Sequence, residues 1–288
     1  MKIFEKIHDL NICLSSINKE NSVIGFIPTM GALHKGHLSL IEKAKSENNI
    51  VVCSIFVNPS QFNNKKDLEN YPRSIANDIK LLNEAGCDIL FMPSISEIYP
   101  ESKSQGASNK PELKNFDFGT LDKVMEGKYR PGHFNGVAEV VSKLFNIVKP
   151  RNAYFGQKDF QQLAIVKKLA EQLNFPINII GCPTIREADG LAMSSRNINL
   201  SPEERKDAVL ISQTLFKVKS LSKQYSIDEV KRWAEKEISA NKRMHLEYFE
   251  IVDPETLLSI GDWKGTGQNQ ALMAVFLGKV RLIDNIIF

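Results

Sequence analysis

Apolar positions along the chain switch repeatedly between two periods, and the switches mark its elements. Phe4, Ile7, Leu10, Leu14 and Ile17 recur at helical spacing and predict a first helix over 4–19. Val23 to Ile27 is a short apolar run that breaks at Pro28. A loop with Gly31, His34, Gly36 and His37 follows, and then a helical pattern to about Asn48, with Leu38, Ile41 and Ala44 on one side. Ile50 to Val57 is almost continuously apolar and β-branched, as in a strand covered on both faces. It ends in the polar turn Asn58-Pro59-Ser60-Gln61-Phe62. A helix is predicted over 75–85, with Ile75, Ile79 and Leu82 on one face and Gly86 as its stop. Cys87 to Met92 reads as a third strand, closed by Pro93.

Ser94 to Lys114 is polar, contains Pro100, Gly106 and Pro111, and reads as a loop excursion. The basic turn 127–134 leads into a helix over 135–148, with Val137, Val140, Val141, Leu144 and Val148 inward. Asn152 to Phe155 is a fourth strand and Ile177 to Ile180 a fifth. Between them Gly156-Gln157-Lys158-Asp159 opens a helix carrying Gln162, Leu163, Val166, Leu169 and Leu173. Strands alternating with helices predict an α/β fold, a Rossmann-like doubly wound parallel sheet.

After Cys182 the texture changes. Pro183 to Asn199 is a polar loop, and Ser201-Pro202-Glu203-Glu204 is a helix start with N-cap, N1 proline and acidic first turn. Helices over 202–222 and 227–240 and strands over 246–252, 271–277 and 280–287 make a smaller α+β domain. The expected division is 1–182 and 183–288, in keeping with a length prior of about two domains.

Composition changes this picture little. Apolar residues make up 42% and charged residues 25% of 288 residues, ordinary for a chain that buries a core. The 37 Lys and Arg against 34 Asp and Glu leave a formal charge of +3, too balanced to point to nucleic acid or a membrane surface. The four cysteines are widely spaced with no C-x-x-C pair, which argues against a thiol-based zinc site or a disulfide framework; Cys53 and Cys87 read as buried thiols. No N-terminal signal pattern and no apolar run near the ~20 residues of a membrane span occur, so the expectation is a cytoplasmic protein.

The candidate chemistry falls just after strands. Gly31 to Gly36 has the spacing of a phosphate-binding P-loop, but His37 stands at the lysine position and Leu38 at the hydroxyl position, which argues against a P-loop NTPase. What remains is H-x-G-H at a helix start, where unpaired N–H groups and the helix dipole favour an anion. Two imidazoles there could donate to charge developing on a phosphate. The bland alternative, one histidine capping a turn and the other solvated, is the commoner fate of an isolated H-x-G-H. Gln61, Lys158 and Arg196 taken singly would each be ordinary surface side chains. Three strand-terminal segments (H-x-G-H, N-P-S-Q-F and G-Q-K-D) can converge on one sheet edge, where open α/β sheets bind ligands.

PTMGALHKGH, NPSQF, GQKDFQQ and READGLAMSSRN, in this order, with LGKVRLIDN near the end, resemble the pantothenate synthetase (pantoate–β-alanine ligase) family over nearly the whole chain. His34 to His37 is similar to the HIGH signature of adenylate-forming nucleotidyltransferases, and Met193 to Arg196 to their KMSKS loop. The resemblance implies ATP as substrate with Mg2+, pantoate and β-alanine as the other substrates, no nucleic-acid or membrane partner, and a homodimer. It implies an ATP-binding set of Met30, Gly31, Ala32, Leu33, His34, Lys35, Gly36 and His37; Gly156, Gln157, Lys158 and Asp159; and Ile185, Met193, Ser194, Ser195 and Arg196. Within it His34, His37 and Lys158 would be catalytic, Met30 would also offer backbone to pantoate, Asp159 would hold the ribose, and Ile185 would meet adenine by its backbone. Gln61 and Gln162 would hold pantoate, and no residue is assigned as a direct metal ligand. Tyr71 and Asp78 fall near where the family places residues around the phosphates and magnesium. The second domain would act as a lid carrying Ser194 to Arg196.

Two departures stand out. Gln157 replaces the family's usual glutamate, and the 94–118 stretch is longer and more polar than the common form. Rival readings are another adenylylating enzyme on this scaffold, a nucleic-acid-binding relative of a tRNA synthetase, and an inactive paralogue.

Overall fold

The computed structural model describes residues 1–18, 22–100, 116–265 and 268–288. In chain order it contains β1 (Lys2–Phe4), α1 (Ile7–Asn18), β2 (Ile24–Thr29), α2 (Lys35–Glu47), β3 (Ile50–Ile55), α3 (Lys65–Glu69), α4 (Ile75–Glu84), β4 (Ile89–Phe91), α5 (Ile95–Ile98), α6 (Met125–Tyr129), α7 (His133–Val148), β5 (Asn152–Gly156), α8 (Phe160–Gln172) and β6 (Asn178–Cys182). Then follow α9 (Pro202–Asp207), α10 (Val209–Leu221), α11 (Ile227–Ser239), β7 (Met244–Val252), β8 (Gln270–Leu277) and β9 (Val280–Ile287). Most of the expected loop excursion, 101–115, lies outside the described residues.

The first unit, Met1–Phe118, Arg130–Gln157 and Gln162–Pro183, is built on a six-stranded sheet in the order β1-β4-β3-β2-β5-β6. Every pairing in it is parallel. Successive strands step one way from β2 to β4 and the other way from β5 to β6, the doubly wound arrangement. Alternation along β2 gives the sheet two cores. Ile27 turns to the side where Leu40, Ile41 and Ala44 of α2, Leu82 of α4 and Leu90 pack. Phe26 turns to the other side and meets Phe145 of α7 edge-on at 6.4 Å.

Two expectations are corrected here. Phe4 is not helical: β1 is a sixth strand at the sheet edge, with Phe4 opposite Phe91. Three residues are too few for a period-2 pattern, and the Phe4–Ile7 spacing imitates a helix. Strand β2 does not break at Pro28. It pairs with β5 only at Gly25 and Phe26, so beyond them it runs on through Pro28 beside β3 alone, and the missing N–H interrupts no pairing with β5.

The second unit comprises Gly119–Tyr129, Lys158–Gln161 and Thr184–Phe288. The compact units therefore do not follow a single cut at 182/183, because two earlier segments group with the second. Its antiparallel sheet runs β7-β8-β9. Ile211, Leu215 and Val218 of α10 and Val230, Ala234 and Ile238 of α11 share a core with the apolar residues of β8. Ser201 and Ser226 each form a reciprocal capping box, with Glu204 and Glu229, so α9 and α11 start where a hydroxyl accepts from the amide of the third helical residue. The segment 119–129 is fastened by Arg281 of β9, which donates to both oxygens of Glu126 at 2.9 and 2.6 Å and also pairs with Glu247. Burial opposes the Arg281 charge, but the two carboxylates outweigh it and hold its proton more firmly than usual. The Tyr248 hydroxyl donates to Glu126 at 2.8 Å; burial and the Glu126 carboxylate push that phenol well above its ordinary range.

Cys53, Cys87 and Cys182 are buried, and Cys13 is partly exposed. Burial raises the Cys53 thiol well above its usual value, pushes Cys87 up to about 11 and raises Cys182. Thiolates rather than thiols react. Native protein titrated with an aromatic disulfide reagent near pH 7.5 should show one fast thiol, Cys13, with the other three reacting only in denaturant. Fast labelling of two or more would contradict that packing.

Candidate active site

Sheet order alone locates the site. Strands β3, β2 and β5 lie side by side and parallel, so the segments after them leave the same edge. The connection reverses between β2 and β5. Ligands of open α/β sheets sit outside the carboxyl ends of the strands at such a reversal. H-x-G-H follows β2, Asn58 to Phe62 follows β3, and Gly156 ends β5.

The turn from β2 into α2 has Gly31 at φ +80° and Ala32 at φ +51°. The first suits glycine; the second is strained for a residue with a Cβ. Two devices hold the turn. The Thr29 hydroxyl donates to the Ser54 carbonyl at 2.8 Å and accepts from Gly31 N–H at 3.2 Å. The carboxylate of Asp78, on the first turn of α4 and 1% exposed, accepts from Ala32 N–H at 2.9 Å on one oxygen and from Leu33 N–H at 2.8 Å on the other. The Ser74 hydroxyl adds a third bond at 3.0 Å. A Cβ at position 31 would stand 3.0 Å from an Asp78 oxygen, so the turn and its anchor fit closely. Asp78 is thus tied to backbone. Tyr71 is buried and meets Phe62 edge-on at 5.7 Å.

His34 is the N-cap of α2. Its Nδ1 accepts from Gly36 N–H at 3.1 Å, while His34 N–H donates to Nδ1 of His37 at 3.3 Å. The imidazoles therefore form a capping box, with ring centroids 4.1 Å apart. A neutral ring that accepts at Nδ1 carries its proton on Nε2. Both rings are thereby set as Nε2–H donors at the positive end of a helix. Both histidines, not one, take part in capping, each through Nδ1.

Gln61 closes the 3-10 turn Pro59–Gln61 and is 7% exposed. Asn58 donates to its Oε1 at 3.3 Å, which directs its Nε2 to the Met30 sulfur at 2.9 Å. Asn58 is itself oriented by the Tyr99 hydroxyl, which donates to Oδ1 at 2.9 Å, and by its own donation to the Gly136 carbonyl at 3.0 Å. Any Cβ at Gly136 would meet the Ser60 carbonyl oxygen at 2.6 Å, so α7 lies directly on the Gln61 turn. His133 supports the same turn: its Nδ1 is 2.8 Å from the Gln61 carbonyl and its Nε2 is 3.1 Å from Arg130 Nη1. Arginine only donates, so Nε2 accepts and Nδ1–H donates to Gln61.

The remaining predicted residues divide between the units. Gly156 and Gln157 belong to the first, as does the half-buried Gln162 of α8. Lys158, with its side chain 18% exposed, and Asp159 belong to the second and lie 3.9 Å apart, a loose pair. So do Ile185 and Met193, joined by Met193 N–H donating to the Ile185 carbonyl at 3.0 Å. Ser194 caps the 3-10 turn Ser195–Asn199 that carries Arg196, its hydroxyl accepting from Arg196 N–H at 3.3 Å. Asn197 braces this turn by donating to Glu187 at 2.9 Å and to the Ala192 carbonyl at 3.1 Å. Among the described residues no group of three or more His, Cys, Asp or Glu side chains could hold a metal ion, and no helix is long and apolar enough to cross a membrane.

Sequence reasoning missed the supports. It left Asp78 among phosphate-side residues, and it gave no role to Asn58, Arg130 or His133. A carboxylate in a helix's first turn reads as dipole complementation, and a histidine at a helix start reads as solvated. Nothing local distinguishes them.

Comparison with known proteins agrees along the full chain. The family model described as pantoate-beta-alanine ligase matches residues 2–287. The pantothenate synthetase of Bacteroides fragilis is 49% identical over 286 residues, covering 99% of this chain and 98% of that protein. That of Phocaeicola vulgatus is 50% identical over 287 residues, 99% of each. The crystal structure of pantothenate synthetase from Thermus thermophilus superposes with a TM-score of 0.90 at 42% identity, covering 100% and 99% of the two chains. Pantoate-beta-alanine ligase from Francisella tularensis, crystallised with beta-gamma ATP and beta-alanine, gives 0.77 at 36% identity, covering 100% and 97%. With its parallel sheet, its H-x-G-H turn and full-length similarity all in agreement, the chain belongs to the pantoate–β-alanine ligase family.

Proposed function

We propose that the protein joins pantoate to β-alanine in two steps and divides the work among its residues as follows. A pantoate carboxylate oxygen attacks the α-phosphorus of ATP, and the bond to the β-phosphate oxygen breaks, giving pantoyl adenylate and pyrophosphate. The β-alanine amine then attacks the acyl carbon, loses a proton, and expels AMP to leave pantothenate. Neither step needs a protein nucleophile. Both need reactants held in line and charge neutralised on phosphate oxygens.

The observation that carries the reading is the paired imidazoles with Nδ1 committed to backbone amides. Their Nε2–H groups suit the pyrophosphate leaving group and the crowded α-phosphorus, and because their orientation is set beforehand they add no reorganisation during reaction. Lys158, Ser194, Ser195 and Arg196 would supply further donors to the phosphates. Gln61 would hold pantoate, since Asn58 and Met30 already fix which end of its amide donates, and Gln162 would share that task. Gly156, Asp159 and Ile185 would hold the nucleoside. Mg2+ would arrive on the ATP phosphates as part of the substrate. The same resemblance carries a homodimeric, cytoplasmic enzyme.

Pyrophosphate should be released from Mg-ATP when pantoate is present and β-alanine absent, and AMP and pantothenate should appear once β-alanine is added. Absence of pantoate-dependent release from folded, ATP-binding protein would overturn the reading. His37→Ala and Lys158→Ala should each slow that release by ~100-fold or more, the usual cost of one preorganised donor; Lys158→Ala should keep the parent's thermal midpoint, and His37→Ala should lose no more than the ~1 kcal/mol of one helix cap. Equal loss of stability and activity would remove them from the chemistry.

Asp78→Asn should behave differently. It sets an amide N–H against the N–H of Ala32 or Leu33, leaving a buried donor unpaired at a cost of about 1–3 kcal/mol. Both the thermal midpoint and the rate of pyrophosphate release should fall; a stable variant with parental activity would show that the turn does not need this anchor.

A further inference from the structure

The C-terminal stretch Leu277–Asn285, LGKVRLIDN, has no part in the steps above, yet its side chains reach three separate segments of the second unit. Arg281 holds Glu126, as described. Asp284, 3% exposed, forms a two-pronged pair with Arg186: Nη1 donates to one oxygen at 2.6 Å and Nη2 to the other at 2.9 Å. Arg186 Nη2 also donates to the Asn285 carbonyl at 3.2 Å, and Nη1 to the Gly190 carbonyl at 3.1 Å. The next side chain, Asn285, is 7% exposed and does two things. Its Oδ1 accepts from Gln270 Nε2 at 2.8 Å, which sets the amide's orientation, and its Nδ2 donates to the backbone carbonyl of Lys158 at 2.8 Å.

Two adjacent residues of β9 thus grip two loops. One carries Lys158 and Asp159. The other is the turn from Ile185 to Ser194, closed by the Arg186–Ala192 bridge and by Met193 N–H on the Ile185 carbonyl. That turn runs straight into Ser194, Ser195 and Arg196. A buried, bidentate carboxylate–guanidinium pair has little angular freedom. An amide held at both ends has little either. Strand β9 is in turn paired along its whole length to β8.

We infer that Asp284 and Asn285 are positioning residues for the adenylation half-reaction, setting the spacing between Lys158 and the Ser194–Arg196 turn. The inference rests on the reading of those residues as phosphate donors. Neither Asp284 nor Asn285 touches substrate. Their effect is geometric, because donors preorganised on transferring phosphate lose force steeply with displacement, about 100-fold for 1 Å.

The test separates the half-reactions. Asn285→Asp keeps the acceptor for Gln270 and places an oxygen against the Lys158 carbonyl; Asp284→Asn keeps the shape and removes one acceptor from Arg186. In single turnovers, pantoate-dependent pyrophosphate release should slow ~10- to 100-fold in each variant, with a raised KM for ATP. Aminolysis of supplied pantoyl adenylate by β-alanine, and the KM for pantoate, should stay within about twofold of the parent, since only adenylation calls on the pyrophosphate donors. If Asn285→Asp does not fold, Asn285→Ala, which only deletes the contact, takes its place. Parental adenylation rates, or equal slowing of both half-reactions, would overturn the inference. Lack of pantoate-dependent release in the parent protein would instead overturn the functional reading, and this inference with it.

Discussion

Strand β2 has to become helix α2 across five residues, Met30 to His34, and the site follows from how that is done. The turn departs from ordinary helical and extended backbone. It takes left-handed conformation at Gly31 and again at Ala32, and the second costs about 1–2 kcal/mol. The Asp78 carboxylate offsets this by accepting the two amides that the turn exposes. Two charge-assisted bonds to backbone, each worth about 1.5–3 kcal/mol, exceed the strain. The same bonds make the burial of that charge tolerable. Helix α4 is thereby a structural part of the H-x-G-H turn, although 40 residues and more of chain separate them.

Once the turn is held, the histidines inherit their chemistry from it. A serine or aspartate N-cap would satisfy the helix amides equally well. Imidazole does so with one nitrogen, and its second lies on the far side of a rigid ring. Capping consumes the acceptor and so dictates the tautomer. The structural reading of H-x-G-H is therefore compatible with the role proposed for it. Gln61 repeats the principle: its backbone carbonyl is held by His133 and its amide is turned by Asn58, so the group facing Met30 is a donor before any ligand arrives.

What the chain disclosed in advance was whatever depends on local periodicity. The β-branched run at 50–57, the alternation of strands with amphipathic helices, the Ser201 cap and the change of texture after Cys182 all depend on neighbours within a turn or two. The motifs stood out because several long ones occur in order, and the parallel sheet then sets those after β3, β2 and β5 at one edge. What stayed hidden depends on distance. Asp78 meets residues 46 and 45 positions away, His133 meets one 72 away, and Asn285 meets one 127 away. No window of sequence contains both partners, and each partner alone has an ordinary surface explanation. The grouping of 119–129 and 158–161 with the second unit was hidden for the same reason, since it is made by Arg281, Asn285 and the buried Gln161, whose amide bonds Leu121, Val124 and Glu126.

The substitution at Gln157 can be weighed on the same footing. A side chain at Gly181 of β6 would meet Leu163 at 2.7 Å and Gln157 Cγ at 3.4 Å, so the absence of one there leaves room for the stem of Gln157 beside the strand. Glutamate and glutamine share that stem. The packing of that stem beside Gly181 is therefore common to both residues. What the exchange alters is charge: one carboxylate fewer, close in sequence to a lysine assigned to anionic phosphates. By Coulomb's law such a loss strengthens the pull on an anion only modestly where solvent reaches the groups, about 1 kcal/mol at 4 Å in water. Lys158 itself is fastened through its carbonyl by Asn285, within the second unit to which both belong. The backbone at Lys158 is thus held from strand β9, by a contact in which residue 157 takes no part.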